Sequence, residues 1–213
     1  MTTLYLPSSR HSNSSTSLGE KALVSYQFPY NSVNVDSSPS YAFYSGPFPE
    51  VGLALGQGWY VNVPDFEGPL ASNIANIEQA LATLDSIRAV LSSDLGLTPG
   101  TRCALWGYSG GSMPSEWALE FHQQYAPELN ISGAALGDLV SNATEVVVSV
   151  GGTIWASRAI SGILGIVSQY PEAYDFLVSQ LKPSGPYNRT GFLAIQQMSY
   201  PRSARSIQQP EHV

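Results

Sequence analysis

The stretch Cys103-Ala104-Leu105-Trp106-Gly107-Tyr108-Ser109-Gly110-Gly111-Ser112 decides the fold of this chain. Its four apolar residues, 103–106, predict a buried strand, and the residues after Gly111 are compatible with a helix. Between them lies the G-x-S-x-G pattern, which is typical of a tight strand–turn–helix elbow. The pattern predicts that Ser109 is a nucleophile, and that Gly107 and Gly111 let the strand and the helix approach closely. A glycine-rich structural turn is the alternative interpretation.

Strands and helices alternate on either side of this elbow. The residue patterns predict strands at 2–6, 22–28, 59–63, 102–106 and 130–136, and helices at 72–91 and 112–125. Successive strand–helix–strand units predict an α/β fold with a mostly parallel sheet and helices on both faces. Ligands bind beyond the carboxyl ends of the strands in such sheets, and Ser109 falls at that edge.

The pattern changes after Asp138, where no further alternating strands are predicted. Apolar runs at 144–150 and 154–169, and a predicted helix at 172–181, indicate a helical, lid-like insertion on the C-terminal side. Ordinary packed helices are the alternative. We therefore expect three regions: an α/β part at 1–138, the start of a helical subdomain at 139–199, and a polar, disordered tail at 200–213.

Composition excludes several classes of function. The chain has 213 residues, 12% charged residues and a net charge of −7, which argues against nucleic acid as a partner. No apolar run is long enough to predict a transmembrane segment. Cys103 is the single cysteine, which excludes an internal disulfide and predicts a buried, small apolar side chain. No spaced His/Asp cluster indicates a metal, and no cofactor is expected.

Four N-x-S/T sequons favour secretion, and they start at Asn13, Asn130, Asn142 and Asn188. The N-terminus, however, lacks the charged and apolar regions of a signal peptide. We expect that the true N-terminus is absent from this chain.

A serine nucleophile needs a histidine base and an acid that orients it, in the chain order Ser, Asp or Glu, His. The three histidines are His11 in a serine-rich loop, His122 on the helix after the elbow, and His212 in the polar tail. His122 is expected on the helix surface. Asp138 or Asp175 with His212 has the right order, but a polar tail does not hold a base rigidly. We expect that the catalytic Asp and His are absent from this chain.

Asp65 and Glu67 follow a predicted strand and could form an acid pair. We interpret them instead as part of a polar loop that shapes the turn before the next helix.

Six segments between Ala22 and Met198 carry a family resemblance. They are Ser25–Phe28 (SYQF), Pro39–Tyr41 (PSY), Gly58–Pro69 (GWYVNVPDFEGP), Ala82–Ala89 (ATLDSIRA), Ala104–Gly111 (ALWGYSGG) and Tyr125–Ala134 (YAPELNISGA). In this order they resemble the fungal secretory lipases of the lipase A type. The resemblance implies an α/β-hydrolase fold and a carboxylic ester hydrolase that acts on acylglycerols or other esters at a lipid–water interface, outside the cell.

The resemblance also implies roles for single residues. Ser109 matches the acyl-accepting nucleophile, and the N–H of Gly110 matches one oxyanion donor. The family has an aspartate as the second donor where this chain has Asn31, whose amide can also donate a hydrogen bond. The family's D-C-A-P-S segment is here 36–40, with Ser37 in place of the disulfide cysteine. The region from Asp138 matches the start of the lid and acyl-binding subdomain.

The family's catalytic Asp and His lie on later strands, so the resemblance implies a fragment that is truncated at both ends. Such a chain is expected to be nearly inactive, since oxyanion donors and binding alone leave little catalysis. Two alternatives remain: a non-catalytic, hydrolase-like lipid-binding protein, and a different serine hydrolase such as a peptidase.

Overall fold

The computed structural model describes residues 1–8, 21–45 and 48–198. The chain forms two compact units. The first comprises Met1–Pro29, Pro39–Phe66 and Asn76–Leu139, and the second comprises Tyr30–Ser38, Glu67–Ala75 and Val140–Val213. The tail predicted at 200–213 lies outside the described residues, as does the sequon at Asn13.

The first unit contains a five-stranded sheet. Its strands are β1 (Thr2–Tyr5), β2 (Ala22–Gln27), β3 (Tyr60–Pro64), β4 (Arg102–Tyr108) and β5 (Ile131–Gly137), in the spatial order β1-β3-β2-β4-β5. All pairs are parallel except β1 with β3. The mostly parallel sheet predicted from the alternating pattern is therefore present. The connection from β3 to β4 skips one position in the sheet, which is filled by β2.

Helices cover both faces of this sheet. The long helices α3 (Asn76–Leu91) and α4 (Ser112–Tyr125) pack on one face, with Leu23, Leu84, Ile87, Cys103 and Leu105 in the shared core. The short helices α1 (Pro39–Ala42) and α2 (Pro49–Gly56) belong to the other side, where a second cluster is formed by Tyr26, Phe43, Val51, Val61 and Val63. Alternate residues of β2 and β3 serve the two clusters, as the two-residue period of a strand requires.

The helix predicted from Ser72 begins four residues later, at Asn76. The prediction was wrong at this end because Ala71 and Ile74 have φ angles of 47° and 58°, in the left-handed region that a helix excludes. Helix α4 has the bounds that the sequence predicts. Strand β5 is an edge strand with much of its surface exposed, including Ala134 and Ala135.

The second unit is helical in the part that is described. After Asp138 the chain forms α5 (Ala143–Val150), α6 (Ala156–Val167), α7 (Pro171–Gln180) and α8 (Arg189–Ala194). The small residues Ser157, Ser161, Gly162 and Gly165 form the buried side of α6. A Cβ on Gly165 would lie 2.3 Å from the backbone oxygen of Asn73, so the 67–75 loop packs directly on the helix backbone. Within the described residues, no helix has the length and apolar character needed to cross a membrane.

Candidate active site

Ser109 lies at the carboxyl end of β4 and begins a single 3-10 turn, Ser109–Gly111, that leads into α4. Its φ of 51° is in the left-handed region, which costs a non-glycine residue on the order of 1–3 kcal/mol. The Ser112 hydroxyl donates a 2.6 Å hydrogen bond to the Ser109 carbonyl and holds the turn. The serine is half-buried, so its side chain is supported by the scaffold and still reached by solvent.

Gly107 and Gly111 are required by the close approach of strand and helix at this turn. A Cβ on Gly107 would lie 2.1 Å from the Gly111 carbonyl oxygen and 2.5 Å from Ser115 Oγ. A Cβ on Gly111 would lie 1.8 Å from the Gln27 carbonyl oxygen. Because real Cβ atoms do not come within 3.0 Å of such atoms, any larger residue would displace backbone. The elbow is thus held tightly between β2, β4 and α4.

A buried polar row runs beneath the elbow, and it was not foreseen from the sequence. It consists of Ser25, Gln27, Asn62, Ser86 and Ser115, on the sheet face that α3 and α4 cover. Gln27 Nε2 donates to Ser25 Oγ at 2.8 Å, and Asn62 Nδ2 donates to Ser86 Oγ at 2.9 Å and to Ser25 Oγ at 3.3 Å.

The polar row reaches the elbow through one side chain, Ser115 on the first turn of α4. Its Oγ lies 2.7 Å from Gln27 Oε1 and 2.9 Å from the Gly111 carbonyl oxygen. Buried hydrogen bonds of this kind fix a unique arrangement because an unpaired partner would cost about 1–3 kcal/mol. The polar row therefore contacts the elbow at the Gly111 carbonyl, two residues after Ser109.

The start of α4 provides a positive electrostatic potential next to Ser109. The first turn of the helix contains no acidic residue, so nothing cancels the partial positive charge of its N-terminal N–H groups. Gly110 lies in the turn that precedes the helix, directly after Ser109. This arrangement suits an oxyanion that develops beside the serine. On the other side of the turn, the exposed Tyr108 packs its ring on Gly137 at the end of β5.

Asn31 lies in the second unit and is half-buried. Its φ of 45° is in the left-handed region, where asparagine is tolerated better than most residues. Its carbonyl oxygen accepts a 3.3 Å hydrogen bond from Ser161 Oγ on α6. The backbone at Asn31 is therefore held by α6.

His122 is buried, and its predicted surface position was wrong. Its exposed fraction is 9%, and its Nε2 lies 2.9 Å from the Leu129 carbonyl oxygen in the turn between α4 and β5. The imidazole is a second donor to this carbonyl oxygen, which also accepts the N–H of Ile131 at 3.0 Å. With Nε2–H donated to a carbonyl, this ring has a structural role and is not a base for Ser109.

The remaining candidate triad residues are two aspartates that the structure describes and two histidines that lie outside the described residues. Asp138 is exposed after β5 in the first unit, and Asp175 is exposed on α7 in the second. His11 and His212 lie outside the described residues. The structure thus brings together the five elbow residues, 107–111, and provides no described imidazole as their base.

Asp65 and Glu67 have separate structural environments. Both carboxylate oxygens of Asp65 accept hydrogen bonds from Ser40, at 2.9 Å from its N–H and 2.6 Å from its hydroxyl. Glu67 belongs to the second unit, is 1% exposed, and donates its backbone N–H to Tyr30 Oη at 2.8 Å. Burial raises the pKa of the Glu67 carboxyl well above its ordinary value.

Cys103 is buried on β4 as a small apolar residue, as the sequence predicts. Burial raises the pKa of its thiol to about 12, so it is not a reactive thiolate. Among the residues that the structure describes, no group of three His, Cys, Asp or Glu side chains could hold a metal ion.

Comparison with known proteins agrees with this geometry. The family model described as secretory lipase matches residues 50–200. The chain is 49% identical over 186 residues to trichothecene C-3 esterase of Fusarium sporotrichioides, covering 82% of this chain and 41% of that protein. It is 37% identical over 180 residues to lipase 1 of Candida albicans, covering 78% of this chain and 38% of that protein. The chain thus spans about two fifths of the length of these relatives.

The same likeness is seen among solved structures. Candida antarctica lipase A in its closed state matches with a TM-score of 0.78 and 30% identity, over 93% of this chain and 46% of that one. This match confirms the α/β-hydrolase fold that the elbow and the sheet pattern predict. The resemblance to the fungal secretory lipases is confirmed as well.

Proposed function

The chain belongs to the secretory lipase family, and from this premise we propose that it supplies the nucleophile and an oxyanion donor of a carboxylic ester hydrolase. The observation that carries the proposal is Ser109, held at a φ of 51° between β4 and the start of α4. A strained serine at this place is what a nucleophile elbow requires and what a merely structural turn would replace by glycine.

In the proposed reaction Ser109 Oγ attacks the carbonyl carbon of the ester, and a histidine base takes the hydroxyl proton. The carbonyl oxygen becomes an oxyanion, which the Gly110 N–H and the positive end of α4 stabilise. Collapse of this intermediate breaks the bond to the alcohol, which leaves with the proton from the base. Water then releases the acid from the acyl-serine by the same sequence of steps.

Asn31 is proposed as the second oxyanion donor, through its side-chain amide. An amide N–H donates at every pH, whereas a carboxyl group donates only while it is protonated. This chain would therefore stabilise its oxyanion without the acidic pH that a carboxyl donor needs. The backbone hydrogen bond from Ser161 supports this role by fixing the residue that carries the amide.

The base and its acid are proposed to come from outside the described residues. The one described histidine is committed to the Leu129 carbonyl. Family members are more than twice as long as this chain, which leaves ample sequence for these groups. A non-catalytic lipid-binding protein remains the alternative for the chain by itself.

Covalent labelling tests the nucleophile. A chimera in which residues 1–198 replace the matching part of the Fusarium esterase is treated with a fluorophosphonate probe. We expect labelling of the chimera and its loss in Ser109→Ala, with no loss in Ser92→Ala, which changes an exposed serine after α3. Unaltered labelling of Ser109→Ala would contradict the proposal, and binding to lipid vesicles with no labelling would favour the non-catalytic alternative.

Two substrate classes are proposed for the ester. The family and its lipases favour acylglycerols, whereas the 49% identity to a trichothecene C-3 esterase favours an ester on a polycyclic terpenoid. Exposed apolar side chains of the second unit, including Ile154, Trp155 and Phe176, suit either a lipid surface or an apolar alcohol.

A second chimera, in which residues 1–198 replace the matching part of lipase 1 of Candida albicans, can distinguish these two substrate classes. A rise in kcat/KM for a trichothecene acylated at C-3, relative to the parent lipase, would assign terpenoid specificity to residues 1–198. An unchanged preference for acylglycerols would favour acylglycerols as the substrate class of this protein. An extracellular location is proposed from the family description and from the exposed sequon at Asn142.

A further inference from the structure

We propose that Asn142 and Asn188 carry N-linked glycans in the secreted protein and that Asn130 does not. The proposal rests on the extracellular location given above and on which atom of each asparagine the fold uses. All three residues start an N-x-S/T sequon, so the sequence alone does not rank them.

Glycosylation changes one atom of the asparagine side chain. The donor is an oligosaccharide linked to a lipid pyrophosphate in the secretory pathway. A bond forms between sugar C1 and Asn Nδ2, the C1–O bond to the pyrophosphate breaks, and Nδ2 loses one of its two protons. The lipid pyrophosphate leaves, and no electrons are exchanged with an oxidant. The product keeps Oδ1 as an acceptor but retains a single N–H, with a bulky group on the nitrogen.

Asn142 meets this requirement because the fold uses its oxygen. It is the exposed N-cap of α5, and Oδ1 accepts the N–H groups of Thr144 at 3.1 Å and Glu145 at 3.2 Å. No described residue accepts a hydrogen bond from its Nδ2. Both capping hydrogen bonds use Oδ1 and neither uses Nδ2. A glycan at this position leaves the cap intact.

Asn188 repeats the arrangement on a second helix. It is the N-cap of α8, and its Oδ1 accepts the N–H of Gly191 at 3.0 Å. Its Nδ2 likewise donates to none of the residues that the structure describes. The neighbouring Arg189 and Thr190 are exposed, so a glycan has room at the surface.

In Asn130 the fold uses the side-chain nitrogen, Nδ2. Its Nδ2 donates to the Gly100 carbonyl oxygen at 3.2 Å and ties the turn before β4 to the start of β5. Its carbonyl oxygen accepts the N–H of Cys103 at 2.9 Å, so the residue cannot move away from this contact without loosening the strand pair. The glycosylated nitrogen keeps one N–H, so its sugar has to fit against the Gly100 carbonyl if this bond is kept, and the bond is lost if the sugar turns the nitrogen away. Chains modified here should fold poorly and be lost before secretion.

The test is site-by-site occupancy in the full chain, expressed behind a secretory leader in a eukaryotic host. Chain from the medium and from microsomes is digested, and glycosidase treatment in heavy-oxygen water marks each formerly occupied asparagine as labelled aspartate. Asn142→Asp is the matched variant, since it keeps the capping oxygen and removes the acceptor nitrogen. Ser132→Thr strengthens the sequon of Asn130 and keeps its hydroxyl.

We expect labelled aspartate at 142 and 188 in the secreted chain and unmodified Asn130, in the wild type and in Ser132→Thr alike. Asn142→Asp should remove one glycan from the secreted chain, because it removes the acceptor nitrogen, and should leave occupancy of Asn188 unchanged. Occupied Asn130 in the secreted chain, or empty Asn142 in both fractions, would overturn the proposal. Fluorophosphonate labelling of Ser109 is independent of these outcomes, so a failure here is distinguishable from a failure of the proposed hydrolase.

Discussion

The left-handed conformation of Ser109 predicts that the nucleophile destabilises the fold, and that glycine at this position relieves the cost. We compare Ser109→Gly with Ser109→Ala, which differ only in a Cβ. A non-glycine residue at a φ of 51° costs about 1–2 kcal/mol. Glycine recovers this cost but loses about 0.5–1 kcal/mol through the greater freedom of the unfolded chain. The net expectation is that Ser109→Gly is more stable than Ser109→Ala by roughly 0.5–1 kcal/mol.

Denaturant unfolding followed by tryptophan fluorescence measures this difference, with the slope of the transition checked for each variant. The matched pair is Ser179→Gly and Ser179→Ala on α7, where the backbone is helical and glycine should be less stable by about 0.5–1 kcal/mol. We therefore expect the glycine variant to be more stable than the alanine variant at position 109 and less stable at position 179. If Ser109→Gly were less stable than Ser109→Ala, the elbow would not store strain at this residue, and the argument for a nucleophile from backbone geometry would fail.

Three further predictions concern the residues around the site. Gln27→Leu should cost about 2 kcal/mol in the free energy of unfolding, because it removes the two buried hydrogen bonds of the Gln27 amide, to Ser25 and Ser115, and should slow fluorophosphonate labelling of the chimera; unchanged labelling would contradict a positioning role. Gly165→Ala should lower the thermal midpoint because its Cβ meets backbone, whereas Gly52→Ala on α2, with open space, should raise stability by up to about 1 kcal/mol; equal effects would refute the close packing. Because burial raises the pKa of Glu67, the folded state should lose stability as the pH rises from the ordinary pKa of 4.5 towards the raised pKa; Glu67→Gln should flatten this slope in unfolding curves recorded across pH, and an unchanged slope would show that Glu67 does not cause it.

The fold was predictable where the signal is local. Residues 103–112 contain both the apolar strand and the glycine spacing of the elbow, so strand, turn and helix follow from adjacent positions. The start of α3 was not predictable in this way. Ile74 continues the helical spacing, yet it lies in a loop with a φ of 58° and packs against Gly162 of the second unit. Apolar spacing indicates that a residue is buried, but it does not indicate which element of the structure the residue packs against.

The supporting residues of the site were not predictable because their partners are distant in sequence. Ser25 and Gln27 alternate with apolar residues along β2, a pattern that usually indicates a solvated face. They are buried because they bind one another and Ser115, which lies 88 positions after Gln27. The buried position of His122 was not predictable for the same reason, since nothing in its own helix indicates that its ring reaches the Leu129 carbonyl.

The polar row also has a consequence for the accuracy of folding. An all-apolar sheet face would pack almost equally well if a strand were displaced by two residues, since the same side would stay buried. In this protein such a displacement of β2 would separate Gln27 from Ser115 and leave Gln27 Oε1 without this donor, away from water. This unpaired polar group raises the free energy of the misaligned chain, whereas the correctly aligned chain has no such cost. The hydrogen bond between Gln27 and Ser115 therefore also favours the correct register of β2 in the parallel sheet.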